Sequence, residues 1–547
     1  MARRLTTFSK LLIVFIILAV LFFGGKALID NTQFGKNLKE QAQKEQKTRS
    51  ADDDSSTTKN SSADNKNSSK KDGGLFNNSG KKRDDKTLRV QLVTWAGYAP
   101  GLYFNEGTQA NIRSRFYKDF GFKVEFVRED DLINALNAWA VDEYDIVVQT
   151  ADAFSFYTAP DDLRSLDPKA FMQVDWSRGG DALIVKRGIN SINDLKGKKV
   201  ALAVPAPAQT MLITALESAG LSYDDVEIIT TTDNIKAAEL FRSPDVDAAV
   251  VWSPFDQEAI AEVPGSKVLL STVEQSHIIG DIMFAKESVI NEKREMFNGF
   301  YEGWMRAVAE LKNAGNKEKA AKYLAEFAQV SVDDAKGMMS TVYYTGHGDN
   351  MNFFGLNNSF KGMKGGDLYD KMNRKFVEIG DNEKMGPGWR NVINTGPILS
   401  ADSKLNGDVY RGEGEKKFSP PTALEKAAPA LASKPVSISF ATGQYKLDSN
   451  AKTIIDLQFA DVAKSFANMR VRVEGNTDNV GSKSMNMQLS RKRAQSVSDY
   501  LQQTYNMNAN RFIVVGNGPD KPVPGCEQNQ NETCKAKNRR TDFQLIP

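Results

Sequence analysis

The sequence predicts a multidomain α/β protein: an N-terminal transmembrane helix, then a two-lobed α/β module, then a smaller C-terminal α/β domain. Three observations predict it. From Leu88 onward, short β-rich runs alternate with amphipathic helical segments in βαβαβ order, the mark of a parallel sheet. An unbroken apolar run, Leu11 to Phe23, follows Arg3, Arg4 and Lys10. Two polar stretches, one rich in Ser, Asn and Asp and the other in Pro and Ala, divide the chain of 547 residues. At ~100–200 residues per domain, that length holds three or more domains.

The apolar run extends through Gly24, Gly25 and Ala27-Leu28-Ile29 to the ~20 residues that span a bilayer, with Lys26 snorkelling. The basic residues before it place residues 1–9 in the cytoplasm and make 10–29 a signal anchor in the inner membrane. A cleaved signal peptide is the competing reading, but no clear A-x-A site follows. Residues 30–87 are dominated by Lys, Asp, Ser and Asn and read as a disordered tether.

Residues 88–412 carry the two lobes. Leu88 to Trp95, Phe122 to Val127 and Asp145 to Gln149 are the strands of the first unit. Lys199 to Val204, Val226 to Ile229 and Asp247 to Trp252 are those of the second, with a helix starting near Thr210 after a loop, Pro205 to Gln209. Past Asn291, Phe297, Phe300, Trp304, Val308 and Leu311 share one helical stripe and read as core. The stretch from Gly346 to Gly412 reads as loop-rich. In order along the chain come Asp194-Leu-Lys-Gly-Lys-Lys-Val200, Gly220-Leu221, Asp225-Val-Glu-Ile228 and Val246-Asp-Ala-Ala-Val-Val-Trp252-Ser-Pro254-Phe255. On these phrases the region resembles periplasmic solute-binding proteins of the nitrate, sulfonate and taurine type, which serve ABC transporters. The resemblance implies a type II-like periplasmic-binding-protein fold. Open α/β sheets bind ligands beyond the carboxyl ends of their strands. The candidate solute-binding residues are therefore Trp95, Tyr98, Gln149, Thr150, Asp152, Gln209, Thr210 and Trp252. Free amides at a helix start near Thr210 suit a small anion, whereas Asp152 favours an amine or a neutral hydrogen-bonding ligand.

Residues 413–434 hold Pro420, Pro421 and Pro429 among Ala and charged residues and read as a semi-extended spacer. In the C-terminal domain, 435–547, Val436, Ile438 and Phe440 alternate as a first strand, and Ile455, Phe459, Val462 and Phe466 mark a helix. Val471 and Val473 lead into the loop Asn476-Thr477-Asp478-Asn479 and a second helix. At ~100° per residue, Met485, Leu489, Val497, Tyr500 and Leu501 form its apolar stripe, with Arg493 near the middle. A guanidinium on such a face needs an anionic partner, either Asp478 or a ligand. Thr477-Asp478, Gly481, Asn486, Leu489-Ser490, Arg493-Ala494 and Val497, closing with Asn538-Arg539-Arg540, resemble the OmpA-like peptidoglycan-binding domain, with Asn476 where that family usually has His. The resemblance implies that Asp478 and Arg493 clamp the zwitterionic end of the diaminopimelate stem peptide, with Thr477, Asn486, Asn538 and Arg539 around them. Cys526 and Cys534 are the only cysteines, and their spacing fits a local disulfide in an oxidising compartment.

A balance of 71 basic and 69 acidic residues implies no nucleic-acid partner. Two separated histidines, no P-loop and no G-x-G-x-x-G after a strand speak against an enzyme, a metal or a bound cofactor. The expectation is a single-pass inner-membrane protein with its bulk in the periplasm. It would hold peptidoglycan at one end and a small solute in its lobes, for uptake or sensing, with an ABC permease or another inner-membrane complex as partner. The alternative is a cell-wall tether whose lobes contact protein. Anchor plus OmpA-like domain is also the plan of flagellar-stator B-type proteins, but no membrane carboxylate lies between Leu11 and Phe23.

Overall fold

The computed structural model describes residues 85–547, except 206, 232, 415, 439 and 442. The expected signal anchor at 10–29 and nearly all of the expected tether lie outside the described residues. Among the described residues, no helix is long and apolar enough to cross a membrane.

The chain first lays down β1 (Thr87–Leu92), β2 (Lys123–Arg128), β3 (Val147–Thr150) and β4 (Pro168–Gln173), then leaves along β5 (Asp175–Ser177). The second lobe follows as β6 (Asp181–Val185), β7 (Lys199–Ala203), β8 (Glu227–Thr231), β9 (Ala248–Trp252) and β10 (Lys267–Ser271). β11 (Asp281–Lys286) returns to the first lobe, and β12 (Val342–Tyr344) pairs with the crossover strand β5. The C-terminal domain adds β13 (Ala432–Val436), β14 (Arg470–Asn476), β15 (Phe512–Gly518) and β16 (Thr541–Ile546).

In the first lobe β1 and β2 are parallel, a parallel bridge from Val90 to Ile146 leads to β3, and β11 runs antiparallel between β3 and β4. The second sheet has the order β10-β6-β9-β7-β8. Both sheets are mixed where the sequence predicts parallel ones. The reason is the double crossing: β6 and β11 each enter a lobe from the far end, so each runs against the strands beside it. The expected aromatic stripe is core. Phe297, Phe300 and Trp304 are fully buried on the helix Arg294–Glu310. On the same helix, a Cβ at Gly303 would lie 2.7 Å from the Phe104 ring, so only glycine admits that ring. Each buried aromatic contributes roughly 1.5–3 kcal/mol of burial.

Three expectations are corrected. The stretch from Gly346 to Gly412 contains the helices His347–Phe353, Gly365–Glu378 and Gly396–Ala401. The spacer 413–434 is docked: Glu413 pairs with Arg178 at 2.6 Å, Phe418 is buried, and Ala423–Ala427 is a short helix capped by Thr422. The first strand of the C-terminal domain is Ala432–Val436, earlier than the run through Phe440. It lies at the sheet edge, and this domain has the order β13-β16-β14-β15.

This last domain rests on the second lobe. The Ile192 amide donates to the Leu431 carbonyl at 2.8 Å, and Asn193 and Ser433 bond reciprocally at 2.9 and 3.0 Å. Leu431 and Val436 share one apolar cluster with Ile192, Leu212 and Leu216.

Candidate functional site

Two groups of predicted residues come together, one at the end of β14 and one between the lobes. At the first, β14 delivers Thr477 and Asp478 beside the start of the helix Lys483–Tyr505. Asn486 donates to the carbonyls of Val480 at 3.0 Å and Asp478 at 3.4 Å, and the Thr477 hydroxyl donates to the Asp478 carbonyl at 2.8 Å. These bonds hold the loop around the Asp478 carboxylate, which is buried at 8% exposure. Its Oδ1 accepts from the Val480 amide, and its Oδ2 accepts from Arg539 Nη1 at 2.6 Å. Asn538 ties down the neighbouring segment, accepting from the Val523 amide at 2.7 Å and donating to the Cys526 carbonyl at 3.0 Å. Cys526 and Cys534 are joined in a disulfide with Cα atoms 5.0 Å apart.

Arg493 differs from the expectation. It lies over the Phe440 ring at 4.8 Å and donates through Nε to the Gln444 carbonyl. Among the described residues no ion pair joins it to Asp478 or to any other acid. The internal Asp478–Arg493 bridge is therefore replaced by Asp478–Arg539. Partial burial lowers the Arg493 pKa, the nearby Arg539 charge lowers it further, and the Asp478 charge opposes both. The helix face is also corrected. Its buried side is Asn486, Ser490, Ala494, Val497, Ser498 and Leu501, while Met485 is 71% exposed. Small residues line this side because the helix lies on backbone: a Cβ at Gly475 would meet the Ser490 carbonyl oxygen at 2.2 Å, and one at Gly516 the Arg491 amide nitrogen at 2.5 Å.

Between the lobes, Trp95 Nε1 donates to Asp175 Oδ2 at 2.9 Å, and the Tyr98 hydroxyl donates to Asp281 Oδ2 at 2.6 Å. The Thr210 hydroxyl of the second lobe donates to Asp152 of the first. Gln149 accepts from the Thr150 amide, Gln209 donates to Asp381 at 2.7 Å, and Trp252, opposite Asp181 in the β6–β9 register, is 40% exposed. The expected anion site at Thr210 is not built. The helix begins at Pro207, so the Thr210 amide falls inside it. The side chain there faces the Asp152 carboxylate, which repels an anion.

Sequence reasoning missed the acids that dominate this region. Asp175, Asp181 and Asp281 are buried beside Asp152 at the crossovers between lobes. Burial, the largest cause, pushes all four above the usual carboxylate range: Asp281 to about 7 and Asp181 to about 6, with neighbouring aspartates adding to both. The nearby Arg178 is taken up by Glu413, its Nη1 and Nη2 donating at 3.0 and 2.6 Å. A sequence signal existed: Gly180-Asp181 and Gly280-Asp281 each open an apolar strand that re-enters a lobe.

Residues 112–314 match the NMT1/THI5 like family, and residues 439–539 match the OmpA family. A putative binding protein of Brucella abortus is 28% identical over 155 residues, covering 27% of this chain and 47% of that protein. The chain thus spans about half the length of this curated relative. Outer membrane protein Omp38 of Acinetobacter baumannii is 34% identical over 99 residues, 17% of this chain and 27% of that protein. The aliphatic sulphonate binding protein SsuA of Escherichia coli, 18% identical, covers 58% of this chain and 100% of its own with a TM-score of 0.46. Both matched families are binding families rather than enzymes, as the sequence led us to expect.

Proposed function

Starting from a chain that joins an NMT1/THI5-like solute-binding domain to a C-terminal OmpA domain, we propose a wall-attached solute receptor of the bacterial envelope. The C-terminal domain grips the diaminopimelate stem of peptidoglycan, and the lobes take up a small solute for import or sensing. The N-terminal segment anchors the chain in the inner membrane, where a permease or sensor receives the solute. The observation that carries the wall-binding part is the paired state of its charges. Asp478 and Arg493 act on each other electrostatically, yet Arg493 has no carboxylate partner among the described residues. A zwitterion can engage both: its ammonium takes the place of Arg539 at Asp478, and its carboxylate meets the Arg493 fork.

Asp478→Ala and Arg493→Ala are each expected to abolish co-sedimentation of the protein with purified peptidoglycan while leaving its melting temperature within a few degrees. Full retention by both variants would overturn the clamp. The second reading, a wall tether whose lobes bind protein, is favoured by one observation: Thr210 and Asp152 already bond to each other across the lobes. It predicts that no small molecule shifts the melting temperature.

A further inference from the structure

The interlobe acids and their neighbours bear on the class of solute, an inference that rests on the solute-receptor reading above. Asp152, Asp175, Asp181 and Asp281 converge at the two crossovers, and each uses one oxygen to accept from a neutral donor: Thr210, Trp95, Ser177 and Tyr98 respectively. Among the described residues, no cation appears among the groups that act on Asp281 or Asp181. Tyr98, Asp181 and Asp152 act on the first, and Ser177, Asp152 and Asp256 on the second. Buried like charges without a counter-ion are costly, so such a cluster holds protons or a cation.

A second observation is independent of the acids. Thr150 is 7% exposed, and its hydroxyl has no hydrogen-bond partner. Thr150 stands directly opposite Asp281 in the β3–β11 register, so the two side chains leave the same face of the sheet. The fully buried Asp152, two residues on, also has an unpartnered oxygen, Oδ1. The Thr150 hydroxyl stands close enough to ease the Asp152 charge, although neither it nor Asp152 Oδ1 has a partner in full bonding geometry. The hydroxyl can turn its proton to the carboxylate and still offer its own lone pairs to a donor, beside the open carboxylate oxygen.

Aromatic rings border the same place. Trp95 lies against Gly180, where a Cβ would come within 2.2 Å of the ring, and Gly97 leaves room for the Asp175 carboxylate. Tyr344 is opposite Asp175 in the β5–β12 register, and Trp252 is opposite Asp181. Rings beside carboxylates recognise organic ammonium ions, through charge and through the electron-rich ring faces. A metal ion needs tighter convergence. Among the described residues, no three His, Cys, Asp or Glu side chains stand close enough to hold one.

We propose that the interlobe site takes a small organic ammonium ion, with Asp281 and Asp152 supplying the charge, Thr150 a neutral acceptor and Trp95 and Trp252 the aromatic walls. Of the two ligand types left open by the sequence, the same carboxylates favour the amine suggested by Asp152 over the small anion suggested by a helix start near Thr210.

The test is a thermal-shift and calorimetric screen of the full chain at pH 8. The cationic probes are choline, putrescine, ethanolamine and agmatine, and the anionic ones are methanesulfonate, nitrate and sulfate. The expected result is a saturable shift with at least one cationic probe and none with the anions. Asp281→Asn is expected to weaken that binding at least tenfold while raising the melting temperature of the unliganded protein, because it removes a buried charge. If Asp281 were merely structural, the substitution would lower the melting temperature and leave affinity intact, which would overturn the assignment. A shift with an anion alone would overturn the cation class and keep the receptor reading. No shift with either class, from a folded protein, would overturn both.

Discussion

Asp281 and Asp181 connect single residues to a measurable pH response. Both are buried, and their folded pKa values stand above the ~4 of an unfolded aspartate, at about 7 and about 6. A carboxyl raised on folding contributes stability below its unfolded pKa, and that contribution is lost as pH rises through the folded value. Unliganded protein is therefore expected to melt at a lower temperature at pH 8 than at pH 5, by on the order of 1 kcal/mol for Asp181 alone. The groups facing these acids (Tyr98, Ser177, Asp152, Asp175 and Asp256) include no base to reverse the sign. Denaturant titrations at the two pH values check this, and Asp281→Asn should flatten the difference. A residue-scale contrast sits in the C-terminal domain, where Asp478 is paired with Arg539 at 2.6 Å.

At the scale of the element, the helix Lys483–Tyr505 shows how backbone contact selects sequence. It lies on β14 and β15 so closely that Gly475 and Gly516 have no room for a side chain. Gly516→Val is expected to destabilise the protein by roughly 1–3 kcal/mol through overpacking. It should also weaken peptidoglycan sedimentation, because it moves the helix that carries Arg493. Urea unfolding and the sedimentation assay on one preparation test both effects; an unchanged midpoint would show that the helix can shift freely. In the first lobe, Trp304 fills a comparable role from the other direction, its ring lying against Gly101 within 2.0 Å of where a Cβ would be. Trp304→Ala should cost about 3–5 kcal/mol.

At the scale of the whole molecule, the solute lobes and the wall-binding domain are packed together. Leu431 and Val436 enter the second lobe's apolar cluster, Lys464 pairs with Asp367 at 3.2 Å, and the His277 amide donates to the Ser465 carbonyl at 3.3 Å. Shared core makes shared unfolding, so the second lobe and the C-terminal domain should melt together. Leu431→Asp, which places a charge in that cluster, is expected to split the calorimetric transition in two. A single transition in the variant would show that Leu431 does not carry the coupling between the two. Docking also gives the spacer a role that composition hides. Glu413 accepts from Arg178 beside the crossover strands, so the exit from the lobes is fixed close to the proposed solute site.

The order of the solute-binding and OmpA-like modules, the βαβ pattern, the aromatic core stripe and the disulfide are legible along the chain, because they rest on local periodicity, spacing and ordered motifs. Thr477, Asp478 and Asn486 are likewise legible as neighbours, since they belong to one continuous stretch of motif. Which partner Asp478 takes is set in space, because Arg539 lies far along the chain and arrives through the pairing of β16 with β14. The character of the cleft was likewise decided in space. Asp152, Asp175, Asp181 and Asp281 are scattered over four elements, and in a chain with 69 acids no spacing marks them out. Two crossings between lobes bring them together, and burial then turns ordinary surface-type residues into a site with a sign of charge opposite to the one its helix start suggested.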